Sequence, residues 1–363
     1  MKNRRKKNRF FYPKSENDYE KIWRWQISKP LYDLLSIIII ILVLILVVKI
    51  KMYNNGTYSI SNEYSYDSFF LHFVSGNVKI KAEAGYIAYE GEVKRGTVTG
   101  TGTLYGRDRN VIYSGEFKEN EYSGKGKLYG EDGELLYEGE FLHNVFEGTG
   151  CEYGTGGTVK YEGMFSDGKR NGKGILYDDS SNPVYEGNFL KGSIVYKDFL
   201  GKTTEAAGDM YKGKRDIYYD DTYFAVDMKD IGAVYSGKIS AAGIDDKVIV
   251  DKVFVKSVSG IIGGKEVSNI EEVKEIAGEP VYEGSVNMNT EEAVALPSLS
   301  DLKVNPVFDD AMEIEGYDSD KMLYIYSFQV EKLQYTFYGE NPDGKFIMYS
   351  IEQLDAEGKG DNE

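Results

Sequence analysis

The most strongly apolar stretch of the chain begins at Leu31, where the sequence runs LYDLLSIIIIILVLILVVKIKMY. Ile37–Val48 contains no polar residue. As a helix, residues 31–52 are about 33 Å long, which is enough to cross the hydrocarbon core of a bilayer. A buried core helix usually keeps a polar stripe, and a cleaved signal peptide needs a small-residue site that the following KIKMYNNGTY lacks. The pattern therefore predicts an uncleaved single-pass transmembrane helix over residues 31–52.

Beyond this helix, tyrosine and glycine positions recur with a period of 24 residues. Each unit opens with Tyr-x-Gly, has an apolar residue four positions after the tyrosine, and usually has glycines eleven and thirteen positions after it. A fixed period of this length is the sequence signature of a repeat architecture. The tyrosines are Tyr89, Tyr113, Tyr137, Tyr161 and Tyr185. The glycine and phenylalanine positions are Gly91, Gly115, Phe117, Gly124, Gly126, Gly139, Phe141, Gly148, Gly150, Gly163, Phe165, Gly172, Gly174, Gly187 and Phe189.

The alternation inside each unit predicts a β-hairpin. Side chains at offsets 0, 2 and 4 of a strand share one face, so Tyr137, Gly139 and Phe141 point the same way. A glycine leaves space for a neighbouring ring to lie over its backbone. Turn signals such as Asp132-Gly133 separate the strands. Stacked hairpins form an elongated sheet that grows about 10 Å per unit and needs a cap at each end.

These units resemble the MORN repeat family, whose pattern is approximately Tyr-x-Gly-x-aromatic followed by Gly-x-Gly. The resemblance covers residues 89–196, with a further echo at Tyr211 and Tyr235 and an out-of-phase Tyr-x-Gly at Tyr282. It implies a sheet of hairpins that associates with membrane lipids, acts as a scaffold or self-associates.

Charge divides the chain at the apolar helix. Residues 1–30 carry ten Lys/Arg against three Asp/Glu, whereas the remainder carries 33 against 56. The positive-inside rule places the N-terminus in the cytoplasm and the long C-terminal part outside. The basic tail is expected either to lie on anionic lipid or only to set this topology. The acidic remainder is repelled by phosphate, which disfavours nucleic acid as a partner and lipid head groups as ligands of the repeats.

The strand face opposite the tyrosines carries glutamates one position (offset 1) and three positions (offset 3) after the tyrosine of several units. One interpretation is a carboxylate column for cations or a basic partner, and the other is a solvated face that keeps the sheet soluble. We favour the second, because a calcium site needs several oxygens that converge on one point. The candidates for this interaction face are Glu90, Glu92, Glu116, Glu138, Glu140, Glu162 and Glu186.

The segment LYEGEFLHNVFEGTGCEY contains the only cysteine, Cys151, and one of two histidines, His143. In the repeat register His143 falls in a turn, and Cys151 falls in a column that Thr103 and Lys127 occupy in other units. A single cysteine excludes an intrachain disulfide and a multi-cysteine zinc site. We therefore expect no catalytic residue, metal ligand or cofactor here.

The period fades after about residue 245. NIEEVKEIAGEP has helical apolar spacing and ends at Gly278, and KLQYTFYGENPDGKFIMYSI reads as a hairpin. A strand, a helix and a hairpin predict a small α+β domain. This region resembles the SmpA/BLIP-like domains of bacterial envelope proteins.

The predicted fold is mainly β: an N-terminal transmembrane helix, an elongated MORN-type hairpin sheet and a small α+β C-terminal domain. The predicted segments are a basic cytoplasmic tail (1–30), the transmembrane helix (31–52), a linker and N-terminal cap (53–88), the repeats (89–196), degenerate repeats or a cap (197–244), the α+β domain (245–353) and an acidic disordered tail (354–363).

The preferred hypothesis is a non-enzymatic scaffold or adaptor in the plasma membrane, which binds an unknown protein partner or forms a homo-oligomer. The alternative is a cell-wall glycan binder, since such proteins also alternate glycine and aromatic residues, although they usually present tryptophan and none follows Trp25. A third hypothesis is an unrecognised enzyme in the C-terminal domain. The glycine-rich GIIGG at 260–264 is not followed by the lysine-serine or lysine-threonine pair of a phosphate loop, and the predicted helix comes late.

Overall fold

The computed structural model describes residues 19–22, 25–54, 62–219, 222–239, 248–287, 322–341 and 344–354. The chain divides into two compact units, Met1–Glu63 and Tyr64–Glu363. Most of the predicted basic tail (residues 1–18) and the predicted acidic tail from residue 355 onwards lie outside the described residues.

The first unit contains a short hairpin and the apolar helix. Strands β1 (Tyr19–Ile22) and β2 (Trp25–Ser28) pair antiparallel, and helix α1 runs from Lys29 to Asn54. None of the window Lys29–Leu46 is buried, and its mean hydropathy is 2.4. An apolar surface exposed on all sides is unfavourable in water. Helix α1 is thus long and apolar enough to cross a membrane, and it extends the predicted helix by two residues at each end.

Among the residues that the structure describes, the second unit begins with a sheet of twelve antiparallel strands arranged in sequence order. Consecutive strands are neighbours throughout, so the sheet is one continuous series of hairpins. The strands are β3 (Glu63–Ser65), β4 (Ser75–Lys81), β5 (Ile87–Lys94), β6 (Thr97–Tyr105), β7 (Val111–Lys118), β8 (Glu121–Tyr129), β9 (Leu135–Leu142), β10 (Val145–Tyr153), β11 (Val159–Ser166), β12 (Lys169–Tyr177), β13 (Pro183–Leu190) and β14 (Ser193–Ile194).

Two-residue turns join the strands inside each repeat unit. In the β9–β10 turn His143 and Asn144 have φ values of 51° and 69°. Positive φ at both central residues is the requirement of the type I′ turn, which matches the twist of the strands and favours Asn or Gly at the second position. The Asn144 side-chain oxygen also accepts a hydrogen bond from the Tyr122 amide at 2.8 Å, which ties the turn to the preceding unit.

The C-terminal part forms a second antiparallel sheet of eight strands, in the order β15-β16-β17-β18-β24-β23-β22-β21. Helix α3 begins after Asn269, whose side chain accepts from the Glu272 amide, and ends at Gly278, where φ is 82°. The remaining elements are α2 (Thr204–Met210), β15 (Arg215–Tyr219), β16 (Tyr223–Met228), β17 (Ala233–Lys238), β18 (Lys252–Val255), β19 (Gly260–Ile262), β20 (Lys265–Val267), α3 (Ile270–Ala277), β21 (Tyr282–Asn287), β22 (Met322–Val330), β23 (Leu333–Gly339) and β24 (Met348–Gln353).

The eight-stranded sheet spans the domain boundary that the sequence predicted at residue 245, because β17 pairs with β18 across it. The echo of the repeat at Tyr211 keeps the repeat geometry: its hydroxyl donates to the Lys214 carbonyl, and a Cβ on Gly213 would lie 2.7 Å from that hydroxyl. The echo at Tyr235 does not, since Gly237 instead faces the Phe224 ring and the backbone of Ile249.

The two sheets of this second unit share one aromatic core. Phe199 is fully buried, with its ring centroid 5.9 Å from that of Tyr185 in the last repeat and 5.9 Å from that of Tyr235 in β17. The Lys212 amide donates to the Val184 carbonyl at the same junction. The predicted mainly β fold, with an apolar N-terminal helix and a long hairpin sheet, is confirmed.

Candidate interaction surfaces

Each repeat tyrosine is held over two glycines. The Tyr137 hydroxyl donates to the Glu140 carbonyl at 3.0 Å, and a Cβ on Gly139 or Gly150 would lie 2.6 or 2.2 Å from its oxygen. Any side chain at either glycine would therefore displace the ring. The same hydroxyl-to-carbonyl bond measures 2.8 Å at Tyr89, 2.9 Å at Tyr113, 3.0 Å at Tyr161 and 3.4 Å at Tyr185.

The rings on this side of the sheet, which we call the tyrosine face, pack edge to face along the repeats. The Tyr137 ring contacts Phe141 of its own unit and Phe165 of the next, with both centroid distances at 5.1 Å, and it stacks on Phe146 at 3.8 Å. Edge-to-face pairs of this kind are favourable. Because Tyr113, Tyr137 and Tyr161 are 0% exposed, these rings are the core of the sheet and present little surface for a ligand.

In the first three units, the glutamate three positions after the tyrosine stabilises a bulge. Gly148 has φ of 64°, and a Cβ there would lie 2.8 Å from the Glu140 carboxylate. That carboxylate accepts from the Thr149 hydroxyl at 2.8 Å and from its amide at 3.3 Å. The strand register shifts between Glu147 and Gly150. Glu92 and Glu116 hold the equivalent positions over Gly100 and Gly124.

The offset-1 glutamates are also paired within the chain. Glu90 lies 3.1 Å from Lys79, and Glu138 lies 3.0 Å from Lys127. Glu162 accepts from the Tyr177 hydroxyl at 3.2 Å, and Glu186 lies 3.2 Å from Lys212. All seven glutamates therefore have intramolecular partners, on what we call the glutamate face. Among the residues that the structure describes, no group of three or more His, Cys, Asp or Glu side chains is arranged to hold a metal ion.

Cys151 and His143 lie too far apart to act together. His143 is 73% exposed in its turn, with Nδ1 2.6 Å from a Glu121 carboxylate oxygen. Cys151 lies six residues beyond the first residue of β10, or about 20 Å along the strand, where it pairs with Glu138 and Glu162. Burial, reinforced by these carboxylates, raises the pKa of the Cys151 thiol. That direction disfavours the thiolate that a nucleophile requires.

A cleft of about 960 Å³ lies at the end of the repeats, where the segment 197–210 stands beside β12 and β13. Asn188 donates to the Asp198 carboxylate at 2.7 Å across it. The repeat pattern did not predict this cleft, although Asp198 occupies the place of a glycine in the fifth unit and so marks the end of the period. The lining includes Glu162, Lys173, Ile175, Glu186, Asn188, Lys197, Asp198, Leu200, Lys202 and Met210.

An edge strand exposes apolar side chains at the side of the C-terminal sheet. Within the described part of the chain, β15 pairs only with β16. Ile217 and Tyr219 alternate along β15 and are 57% and 65% exposed. An edge strand leaves backbone donors and acceptors open to pairing with another strand.

The comparisons with known proteins address the repeat region. A family model described as MORN repeat matches residues 113–134, 137–159 and 161–182. No curated protein matches the chain. Among solved structures, the chain is similar to an extracellular protein containing a SCP domain from Bacillus anthracis str. Ames, with a TM-score of 0.26 and 9% identity over 46% of this chain and 47% of that one. The chain thus spans about half the length of that protein, and a TM-score this low supports no inference about fold or function.

The three matched segments coincide with the central hairpins, where the tyrosine, both glycines and the phenylalanine have the same contacts in each copy. A hairpin with the same tyrosine hydroxyl bond precedes them at Tyr89, and a shortened hairpin, β13–β14, keeps that bond after them at Tyr185. Residues 113–182 of the chain are therefore three MORN repeats, within a longer series of hairpins.

Proposed function

We propose that this protein is a non-enzymatic, single-pass scaffold or adaptor of the plasma membrane. In this proposal α1 crosses the membrane with the basic N-terminus in the cytoplasm, and the repeats and C-terminal sheet lie outside. The charge asymmetry around α1 supports this topology through the positive-inside rule.

The observation that carries the proposal is the unbroken aromatic core from the repeats into the C-terminal sheet. Rings contact one another from Tyr89 to Tyr185, and Phe199 extends these contacts to Tyr235. Twelve strands side by side extend about 50 Å. A continuous core of this length lets the repeats act as a spacer that holds the C-terminal sheet at a fixed distance from the first repeat.

The partner is a protein strand, from another protein or from a second copy, that pairs with β15. Among the described strands, β15 pairs on one side only, and it carries two exposed apolar side chains, Ile217 and Tyr219. Strand addition to a sheet edge obtains its affinity from main-chain hydrogen bonds and its specificity from alternate side chains.

A charged side chain on this edge tests the proposal. Ile217→Lys is expected to abolish cross-linked oligomers, or partner capture, by the full chain in native membranes, because an edge lysine opposes strand pairing. Val258→Lys, at a residue that is 66% exposed outside the named strands, is the matched control and is expected to leave capture unchanged. Only monomers and no captured partner for the unaltered chain would contradict the proposal.

Proximity labelling tests the topology. With the labelling enzyme fused to the C-terminus, extracytoplasmic neighbours are expected to be labelled. Labelling confined to cytoplasmic proteins would place the C-terminal sheet on the other side of the membrane and refute the proposed orientation.

A second candidate function, binding of a wall glycan, is favoured by tyrosines on the glutamate face. One half-buried tyrosine per unit follows the second glycine by three positions, at Tyr105, Tyr129, Tyr153 and Tyr177. Each successive tyrosine is two strands further along, or about 10 Å, which is close to the length of a disaccharide unit. Sedimentation of the full chain with purified peptidoglycan, compared with a Tyr129→Ala and Tyr153→Ala double variant, tests this function directly.

A further inference from the structure

Three phenylalanines project into solvent near the start of the second unit. Phe69, Phe70 and Phe73 are 70%, 71% and 71% exposed. Their rings form a cluster, in which the centroid of the Phe69 ring lies 6.0 Å from that of Phe70 and 5.2 Å from that of Phe73. All other phenylalanines that the structure describes are buried or half-buried. We call these three residues the phenylalanine patch.

The patch sits on an anchored turn. The segment Phe69–Phe73 is a short 3₁₀ helix, and Leu71 in its centre is 7% exposed. The Leu71 amide donates to the Ser68 carbonyl at 3.0 Å, and the Val74 amide donates to the Leu71 carbonyl at 3.0 Å. Because the backbone is held in this way while Leu71 points inward, the three phenylalanine rings are directed away from the sheet.

Exposure of these rings to water is costly. Burial of a phenylalanine side chain away from water is favourable, and clustered apolar residues on a surface mark a site of protein or membrane interaction. The short connection between α1 and the patch favours the membrane as the surface that the rings contact. Eight residues separate Asn54, the last residue of α1, from Glu63, the first of β3, so this connection spans at most about 30 Å.

The charges near the patch are few and of both signs, because the exposed turn residue Arg95 lies beside it, with its amide donating to the Ser75 hydroxyl at 3.1 Å. Residues 62–78 contain two acidic residues, Glu63 and Asp67, and no lysine or arginine. The Asp67 carboxylate accepts from the Ser65 hydroxyl at 2.5 Å. Attraction to a membrane surface would therefore come from apolar burial at the boundary between head groups and acyl chains, where aromatic rings are favoured.

We propose that the phenylalanine patch inserts into the interface of the bilayer that α1 crosses, and so fixes the first hairpins of the repeat sheet against the membrane surface. This inference rests on the proposed membrane anchor. It concerns residues outside the matched MORN repeats, and it predicts insertion into a bilayer of zwitterionic lipid alone.

Spin labelling of the full chain tests the proposal. Cys151→Ser removes the only native thiol, and Phe70→Cys then accepts a single nitroxide label. The labelled protein is reconstituted into phosphatidylcholine nanodiscs, and the accessibility of the label to oxygen and to a water-soluble nickel chelate is measured. We expect a several-fold higher ratio of oxygen to nickel accessibility at residue 70 than at Val258→Cys, an exposed position outside the β15 edge.

Two further observations separate the possible failures. A label at Ile40→Cys, within α1, reports whether the helix spans the bilayer. A bilayer signal at residue 40 with an aqueous signal at residue 70 would refute insertion of the patch but not the membrane-spanning helix. An aqueous signal at residue 40 would refute both. Protection of residue 70 from oxygen and nickel alike would mean that protein covers the patch, and would also overturn the proposal. Phe73→Cys repeats the measurement at a second ring.

Discussion

The hydroxyl group of Tyr137 donates a hydrogen bond to the carbonyl oxygen of Glu140, 3.0 Å away, within the same strand. To reach that carbonyl the ring must lie along β9, over the backbone of Gly139 and Gly150. A single tyrosine thus requires a glycine on its own strand and another on the next. This packing explains why the tyrosine and glycine columns recur together in the first four units, whereas the fifth unit keeps only Gly187.

The hydroxyl and the ring of Tyr137 are expected to contribute separately to stability. Tyr137→Phe removes one hydrogen bond and should lower the free energy of unfolding by about 0.5–1.5 kcal/mol. Tyr137→Ala also leaves a cavity in the ring array and should cost about 3–5 kcal/mol. Urea denaturation of the full chain in detergent, followed by circular dichroism, measures both. Tyr129→Phe, on the opposite face, is the control, and equal losses for all three variants would contradict the assignment.

Glycine is required where the tyrosine ring covers the backbone. In Gly150→Ala the new Cβ would lie 2.2 Å from the Tyr137 hydroxyl oxygen and 2.5 Å from its ring, so the ring must leave its site. Overpacking typically costs about 1–3 kcal/mol, and loss of the hydroxyl bond adds to it. Gly106→Ala is the matched control, because its nearest neighbour would be the Ile112 side chain at 3.6 Å. We expect a lower melting temperature only for Gly150→Ala, and an equal shift in the control would refute the steric explanation.

The sequence predicted the hairpins and the tyrosine face because both follow from a strict period and from alternation along a strand. It did not predict the role of Glu140, whose column reads as an ordinary solvent face. That role depends on the left-handed conformation of Gly148, which turns the Thr149 amide toward the carboxylate. Backbone conformation at a bulge is not encoded in hydrophobic periodicity.

The sequence also did not predict the junction at Phe199. Phe199 lies after the last glycine pair, and its two ring partners, Tyr185 and Tyr235, are 50 residues apart. The fading of the period near residue 200 indicated that the repeat ended. It could not indicate that the ring packing continues into a new sheet, because that contact is between segments with no common pattern.

The bulge of the third unit is expected to weaken in acid. Hydrogen bonds from the Thr149 hydroxyl and amide hold the pKa of the Glu140 carboxyl below its usual value. A carboxyl whose pKa is lowered by folding adds stability above its unfolded pKa, and this stability is lost as the pH falls through the folded pKa. Thr149→Val should therefore flatten the loss of stability toward low pH, whereas Thr149→Ser should keep it. Denaturation midpoints from pH 7 to pH 3 provide the measurement, and identical profiles for the two variants would contradict the role of the hydroxyl.

Alkaline pH is expected to unfold the repeat sheet through its tyrosines. Burial, together with Glu92, raises the pKa of Tyr89 to about 12, and burial raises the pKa of Tyr161 to about 12. Because the folded pKa exceeds the unfolded value near 10, stability is complete below pH 10 and falls between pH 10 and 12, by about 1.4 kcal/mol per pH unit for each such tyrosine. Tyrosinate absorbance and circular dichroism should change together. Ionisation of the buried tyrosines near pH 10 in a sheet that stays folded would contradict this prediction, and Tyr89→Phe should reduce the slope.

Phe199 is expected to couple the unfolding of the two sheets. Its fully buried ring connects Tyr185 to Tyr235, so Phe199→Ala would leave a cavity between the repeats and β17 and should cost about 3–5 kcal/mol. The backbone bridge between Tyr185 and Tyr211 remains in this variant. We therefore expect the eight-stranded sheet of the variant to exchange its amide hydrogens faster than the central repeats, whereas both sheets of the unaltered chain exchange together. Tyr66→Ala, which removes a 54% exposed ring outside the phenylalanine patch, is the control and should leave the exchange of both sheets unchanged. Equal exchange of the two sheets in Phe199→Ala would mean that contacts other than this ring hold them together.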